Sequence, residues 1–503
     1  MNKEKIQNVF DRFLISVNEI SNFCSASSLL NWDQEVLMPV NGAESRSKVY
    51  ETLALHIHHL TESQSFISDI KFLLDNQDLL SDFQYRCLHR YHQEAKRSWK
   101  MSKELIGQLA KTTAIAQSEW AKAKKEKSFS IFMPYLESIV ALKQEEAKQI
   151  GFNDHPYDAL LDEYEPGLKT KLLDQVFSES LPKLKNLRMK FIEIIQKKNI
   201  EDISISKDIQ NKFVQKILSE IGFNFNKGRI DVGNHPATAF IHNNDIRIIS
   251  RFDEETFFTG IFLTLHEMGH GLYYQNIDES YLNTPLYEGA STSMHESQAR
   301  LWENYIAKSI SFWKGQFSFF QSLSSSLSSK NLNNFICYIN RISTSPIRFD
   351  ADEISYVFHI YIRYLLEKKL IDGSLSVSDI PEYWNNLMEE YLNIKVNDVS
   401  DGCLQDVHWS CGLIGYFPTY YVGTIYAAEI YKLMKDNIPL EELLSNNQYS
   451  EILHFLINNI YKHGSYYTSI ELREKLIKTN EMSSDVFIEY LKEKYHMIDL
   501  MNR

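Results

Sequence analysis

The sequence predicts a mainly α-helical protein, on two observations. Glycine and proline, the residues that interrupt helices, number only 18 and 11 in 503 residues, each roughly half of ordinary usage. Apolar residues also recur at a helical period through Ile139 to Ile150, Lys169 to Gln196, Ile354 to Leu370 and Tyr449 to Tyr461. The exception lies between Ala237 and Phe252. There Ala239, Phe240 and Ile241, then Ile246, Ile248 and Ile249, flank Asn243-Asn244-Asp245. That pattern predicts a hairpin of two short strands with a polar tip, a small β-sheet within an α-helical body. At 503 residues the chain can bury a large core but exceeds the usual size of one compact body, so two lobes around a cleft are expected.

From the N-terminus, Met1-Asn2-Lys3-Glu4-Lys5 runs into an amphipathic helix with Asp11, Arg12 and Glu19 and lacks the apolar core of a signal peptide. His56-Ile57-His58-His59, beside Leu53 and Leu60, reads as surface histidine rather than a metal site. Ser322 to Ser329 reads as a helix end or loop. No apolar stretch approaches bilayer length, which speaks against a membrane partner. The net charge is −13 with basic residues scattered among acids, so nucleic acid is not an expected partner. Five widely spaced cysteines suggest no disulfide framework. A cytoplasmic protein is the expectation.

The chemistry concentrates at His266-Glu267-Met268-Gly269-His270. Residues i and i+4 share one helix face, so both imidazoles can meet a single Zn²⁺ at about 2.0–2.1 Å. Glu267, one residue round the turn, is displaced from that chelate but can reach a water held by the metal, as a general base would. Phe257, Phe258, Ile261, Phe262, Leu263, Leu265, Met268, Leu272 and Tyr273 make the helix apolar on most faces, hence buried. Catalytic zinc needs a third protein ligand. Glu296 of His295-Glu296-Ser297-Gln298 is the candidate, heading a stretch with Leu301, Trp302, Tyr305 and Ile306 at helical spacing. The competing reading is that Ser293-Met294-His295-Glu296 is a capping box, with Glu296 only holding a helix start.

Other polar groups admit two readings each. Arg348 in Ile347-Arg348-Phe349-Asp350-Ala351-Asp352 could clamp a substrate carboxylate, or pair with Asp352 at i+4 on an exposed face. His408, Tyr416 and Tyr420, in the segments around Gln405-Asp406-Val407-His408-Trp409 and Gly415-Tyr416-Phe417-Pro418-Thr419-Tyr420, could donate to an oxyanion or merely pack the core. His235 and Arg247, flanking the hairpin, are equally site wall or scaffold. The hairpin itself could receive an extended peptide as an added strand.

Together these segments resemble the M32 metallocarboxypeptidases, the carboxypeptidase Taq type, almost end to end. The likeness begins at Trp32-Asp33-Gln34-Glu35, with Met38-Pro39 and Gly42-Ala43-Glu44. It continues through Pro156-Tyr157-Asp158-Ala159-Leu160-Leu161-Asp162 and Tyr164-Glu165-Pro166-Gly167 to HEMGH, HESQ, IRFDAD, GCLQDVHW, GYFPTY and His463-Gly464-Ser465. Two positions depart from the family pattern: His-Pro-Phe appears as His235-Pro236-Ala237, and Asp-x-Arg-x-Thr ends in Ile249.

The resemblance implies a single peptidase domain over residues 1–503. Its helical lobes would flank a deep groove, as in neurolysin and angiotensin-converting enzyme, and it would commonly be a homodimer. It implies a carboxypeptidase of broad specificity acting on peptides with a free C-terminus, with Zn²⁺ or Co²⁺ as cofactor. His266, His270 and Glu296 would hold the metal and Glu267 would be base and acid. Arg348 would be the carboxylate clamp, and His408, Tyr420, Tyr416, His235 and Arg247 would be further substrate contacts. The alternatives are an oligopeptidase or dipeptidyl carboxypeptidase on the same scaffold, and a non-catalytic helical peptide-binding protein.

Overall fold

The structure, a computed structural model, describes residues 3–196, 203–233, 236–254, 256–328, 330–479 and 481–501. Helices account for 71 % of the chain and strands for 4 %, which establishes the mainly α class. The predicted periodic segments all fold as helices: Phe129–Ile150, Thr170–Gln196, Glu353–Asp372 and Tyr449–Asn459. Among the described residues no helix is long and apolar enough to cross a membrane.

Buried side chains separate into a main core, a smaller one, and a small cluster of Trp32, Ile241 and Ile249. The smaller core joins Val9, Phe10, Phe13 and Val17 of helix Lys3–Val36 to Phe66, Ile70 and Leu73, and to Cys87 and Leu88 of helix Asp82–Lys100. The main core holds helix Phe257–Gln275, which carries HEMGH, and helix Pro418–Asn437. A cavity of about 770 Å³ is lined both by helix Asp82–Lys100 and by His270 and Glu296. The cavity therefore borders helix Asp82–Lys100, which contributes to the smaller core, and the helices of His270 and Glu296.

The hairpin forms as read, but it belongs to a sheet of three strands, and the first strand was not anticipated. β1 (Gly228–Val232), β2 (Ala237–His242) and β3 (Asp245–Ser250) lie in the order β1-β3-β2, with β1 parallel and β2 antiparallel to β3. Gly228-Arg229-Ile230-Asp231-Val232 is a short stretch with two charges, and only its pairing with the buried β3 makes it a strand. Asn244 turns the tip at φ 63°, in the left-handed region that Asn tolerates. The two departures from the family pattern sit opposite each other, because Ala237 pairs with Ile249 across β2 and β3. Both pack with Trp32 and Ile241, so the extra apolar bulk of Ile249 lies beside the room left by Ala237.

Sheet and metal helix are fastened at two points. Ser250 Oγ lies 2.9 Å from Thr264 Oγ1, and Thr238 Oγ1 lies 2.8 Å from the Glu267 carbonyl oxygen and 2.7 Å from its Oε2. Glycine sets the remaining spacings. A methyl on Gly269 would lie 2.6 Å from Ala299 Cα, and one on Gly423 would lie 2.8 Å from Glu296 Cγ. Helix Thr292–Arg300 is thus clasped between the metal helix and helix Pro418–Asn437 at distances that only glycine permits.

Candidate metal centre

His266 and His270 project from one face of the metal helix toward Glu296, and all three are largely withdrawn from solvent. Glu296 Oε2 lies 3.6 Å from His266 Nε2 and 3.7 Å from His270 Nε2. The three donor atoms lie within 4.8 Å of one another. These separations are too long for hydrogen bonds. The two carboxylate–imidazole separations are close to the edge of a tetrahedron with arms of about 2.0–2.2 Å, which is roughly 3.3–3.6 Å. Three buried lone-pair donors that converge without bonding one another are satisfied by a cation between them.

Glu296 is free for this duty because it is not a cap. Ser291 caps helix Thr292–Arg300 by accepting from Met294 N, so Glu296 lies inside the helix and the capping-box reading fails. Its other oxygen, Oε1, accepts from Arg300 Nε at 2.7 Å, which leaves Oε2 for the metal.

Glu303 and His295 complete the surroundings, and sequence reasoning missed both roles. His266 Nδ1 lies 2.9 Å from Glu303 Oε2. A carboxylate only accepts, so Nδ1 carries the proton and Nε2 presents its lone pair to the site. Glu303 stands seven positions beyond Glu296, at an offset set by a π-helical turn, Leu301–Ile306, that continues helix Thr292–Arg300. π turns recur at functional sites. Burial pushes the Glu303 carboxyl up, but Arg300, His266 and Lys308 outweigh it and hold the pKa near about 2, so Glu303 stays ionised. His270 Nδ1 lies 2.6 Å from His295 Nδ1. Burial lowers the pKa of His295 to about 3, so His295 is neutral and able to accept at Nδ1 while His270 Nε2 faces the metal site. A Glu303→Gln protein is expected to bind metal about 10- to 100-fold more weakly, measured by competition with a chromogenic chelator. Unchanged affinity would remove Glu303 from the site.

Glu267 is buried beside these ligands, with Oε2 against Thr238 Oγ1. Burial raises its pKa above the ordinary carboxylate value, against the opposing pull of His266 and Thr238.

Arg348 lies in a second buried network rather than on an exposed helix face. Asp352 does not pair with it; that side chain caps helix Glu353–Asp372 by accepting from Ile354 N and Ser355 N. The Arg348 partner is Asp406, whose Oδ1 takes Nε at 3.0 Å and Nη2 at 2.9 Å. Asp406 Oδ2 takes Arg363 Nε at 2.7 Å. Gln405 accepts from Arg348 N at 2.8 Å, so the adjacent Gln405 and Asp406 together hold this arginine by backbone and side chain. Arg348 Nη1 donates to Tyr356 at 3.0 Å, and the Tyr356 ring carries the Arg300 guanidinium at 4.0 Å. The arginine is thereby linked through Tyr356 and Arg300 to Glu296.

Tyr416, Tyr420 and His408 lie together. His408 Nε2 lies 3.2 Å from the Tyr420 hydroxyl, and Tyr416 lines the cleft with its ring 5.3 Å from that of Tyr420. Burial lowers the His408 pKa to about 4, opposed by Asp406, so the ring is neutral near pH 7. The buried Glu367 fastens this segment by accepting from Trp409 Nε1 at 2.8 Å and Gly415 N at 2.9 Å. Arg247 forks onto Asp245, with Nε and Nη2 at 2.9 and 2.8 Å, and lies over the Trp32 ring at 4.2 Å. His235 lies outside the described residues.

Comparison with known proteins places the chain in a family. The family described as carboxypeptidase Taq (M32) metallopeptidase matches residues 12–495. The chain belongs to the M32 metallocarboxypeptidase family. Carboxypeptidase 1 of Bacillus subtilis is 33 % identical over 497 residues, covering 97 % of this chain and 98 % of that one. Thermostable carboxypeptidase 1 of Thermus thermophilus is 34 % identical over 496 residues, with coverages of 95 % and 96 %. Among solved structures, Pyrococcus furiosus carboxypeptidase in an apo-Mg form superposes with a TM-score of 0.92 at 32 % identity, covering 97 % of this chain and 99 % of that one. This M32 protein is therefore a metallocarboxypeptidase, and His266, His270 and Glu296 form a candidate ligand group, one that could hold a metal ion.

Proposed function

We propose that this M32 enzyme is a zinc carboxypeptidase of broad specificity that releases residues singly from the free C-terminus of peptides, with Glu267 as general base and acid. The observation that carries this reading is the triangle of His266 Nε2, His270 Nε2 and Glu296 Oε2 beside a buried carboxylate. Two imidazoles and one carboxylate suit Zn²⁺ and leave one position for water or substrate. Co²⁺ is expected to substitute. Bound there, the cation supplies Lewis acidity, polarising the scissile carbonyl and making water a stronger acid near neutral pH.

The protein's own groups do the rest. Glu267 takes the proton of the attacking water and returns it to the leaving amine. Thr238, whose one proton can serve Oε2 or the Glu267 carbonyl, orients that carboxylate. Arg348 is the proposed clamp for the terminal carboxylate, setting which bond lies over the metal. Asp406 takes two of its five N–H groups and Tyr356 a third, so two remain. Arg348 and Arg363 against the single Asp406 also leave the network one positive charge in excess. Neutral His408, with Tyr420 and Tyr416, supplies donors for the developing oxyanion. The same reading includes a homodimeric, cytoplasmic enzyme.

Mass spectrometry of a mixed peptide pool, free and C-terminally amidated, tests it. The expected result is a ladder of single-residue losses from free C-termini only. It should be abolished by chelator and restored by Zn²⁺ or Co²⁺. Internal cuts in amidated peptides, or losses in steps of two, would instead establish the oligopeptidase or dipeptidyl reading.

A further inference from the structure

Helix Asp82–Lys100 is basic in an acidic protein. It carries Arg86, Arg90, Lys96, Arg97 and Lys100 against Asp82 and Glu94, in a chain of net charge −13. Arg90, Lys96, Arg97 and Lys100 line the same cavity as His270 and Glu296, whereas Arg348 is not among its lining residues. If Arg348 holds the terminal carboxylate on one side of the metal, this cavity is the space left for the peptide on the amino side of the scissile bond.

Charges along the wall are unevenly matched. Glu94 lies 2.6 Å from Arg90, and Glu163 lies 3.1 Å from Arg97. Asp158 accepts from Thr170 N and Oγ1, Asp162 from Gly167 N, and Glu288 from Tyr274 Oη and Gly289 N. Among the described residues no carboxylate pairs with Lys96 or Lys169, and Lys100 Nζ donates only to the Ile150 carbonyl oxygen. Arg90 Nε is buried without a hydrogen-bond partner. The acids of the wall thus already have donors, while its cations retain unused capacity.

We infer that the peptide segment preceding the scissile bond runs along helix Asp82–Lys100, and that Lys96, supported by Arg90, makes acidic side chains the preferred ones there. The inference rests on the proposed polarity of substrate binding.

Binding can be read without turnover in metal-loaded Glu267→Gln protein, by calorimetry with hexapeptides that differ only in Glu, Gln or Lys at their second to fourth residues. The Glu peptide is expected to bind about threefold to tenfold more tightly than the Lys peptide at low ionic strength, with the difference shrinking as salt is raised. Adding Lys96→Glu should abolish or invert the ratio. Lys190→Glu, an equal change of net charge outside the cavity lining, should preserve it. Equal affinities for the three peptides, or identical behaviour of the two lysine variants, overturns the inference. Release of no C-terminal residue by the native enzyme, with the affinity ratios intact, would reject the carboxypeptidase reading and leave the wall's charge preference standing.

Discussion

Glu267→Gln protein is expected to fold, to retain its metal and to lose about 10²- to 10⁴-fold in kcat, the range attached to a positioned general base. The amide is nearly isosteric and still offers an oxygen to the Thr238 hydroxyl, 2.7 Å from Oε2 in the native protein, so the local hydrogen bonding survives. The amide lacks the basicity to remove a proton from water. Burial disfavours the charged carboxylate, which makes the native group a stronger base than an exposed glutamate. Kinetics alongside metal analysis of the purified variant check the prediction. Full turnover with one metal bound would discard Glu267 as the base.

The second large effect falls on the ligands. His266→Ala protein should lose its metal at concentrations that saturate Glu267→Gln protein, by more than the 10- to 100-fold expected for an outer partner such as Glu303, and its activity should vanish with the metal. Two things go together: one of three donors disappears, and Glu303 loses the Nδ1–H that it accepts at 2.9 Å. Arg300 still lies 3.4 Å from Glu303 and 2.7 Å from Glu296, so the buried acids keep a counter-charge and the helices should stay in place. Metal content by mass spectrometry, with circular dichroism to confirm the fold, separates this outcome from unfolding. A folded variant that keeps stoichiometric metal would show that His266 is not a ligand.

The two variants report on different halves of the site. One removes a proton acceptor and keeps the ion, while the other removes the ion and keeps the acceptor. Only the first should bind peptides with the native metal in place, which is why it serves as the background for testing the charge of the cleft wall.

Much of the centre was legible because it depends on short-range periodicity. His266 and His270 share a face whatever the rest of the chain does, and the apolar run around them announces burial. Glu296 was legible as a candidate but not as a ligand, since Ser293 at i−3 offered an equally regular cap; the helix start at Ser291 removes that alternative. Glu303 was out of reach because its approach to His266 depends on a π turn, an irregularity that a 3.6-residue period does not reveal. β1 was missed for a related reason, since its alternation is weak and its identity as a strand comes from parallel pairing with β3.

The sequence alone therefore determined the helical class, the helix that places two imidazoles on one face with a carboxylate beside the first, and the kinship with M32 enzymes; each rests on short local patterns, and the kinship on many of them in order along the chain. Tertiary structure decided which oxygen of Glu296 meets the imidazoles, that Glu303 accepts from His266 Nδ1, and that Asp406 rather than Asp352 holds Arg348. Those outcomes depend on how segments far apart in sequence cross, and on close approaches at Gly269 and Gly423 where a single methyl group would push the helices apart. Local patterns place a donor on a face; only packing fixes what that face meets.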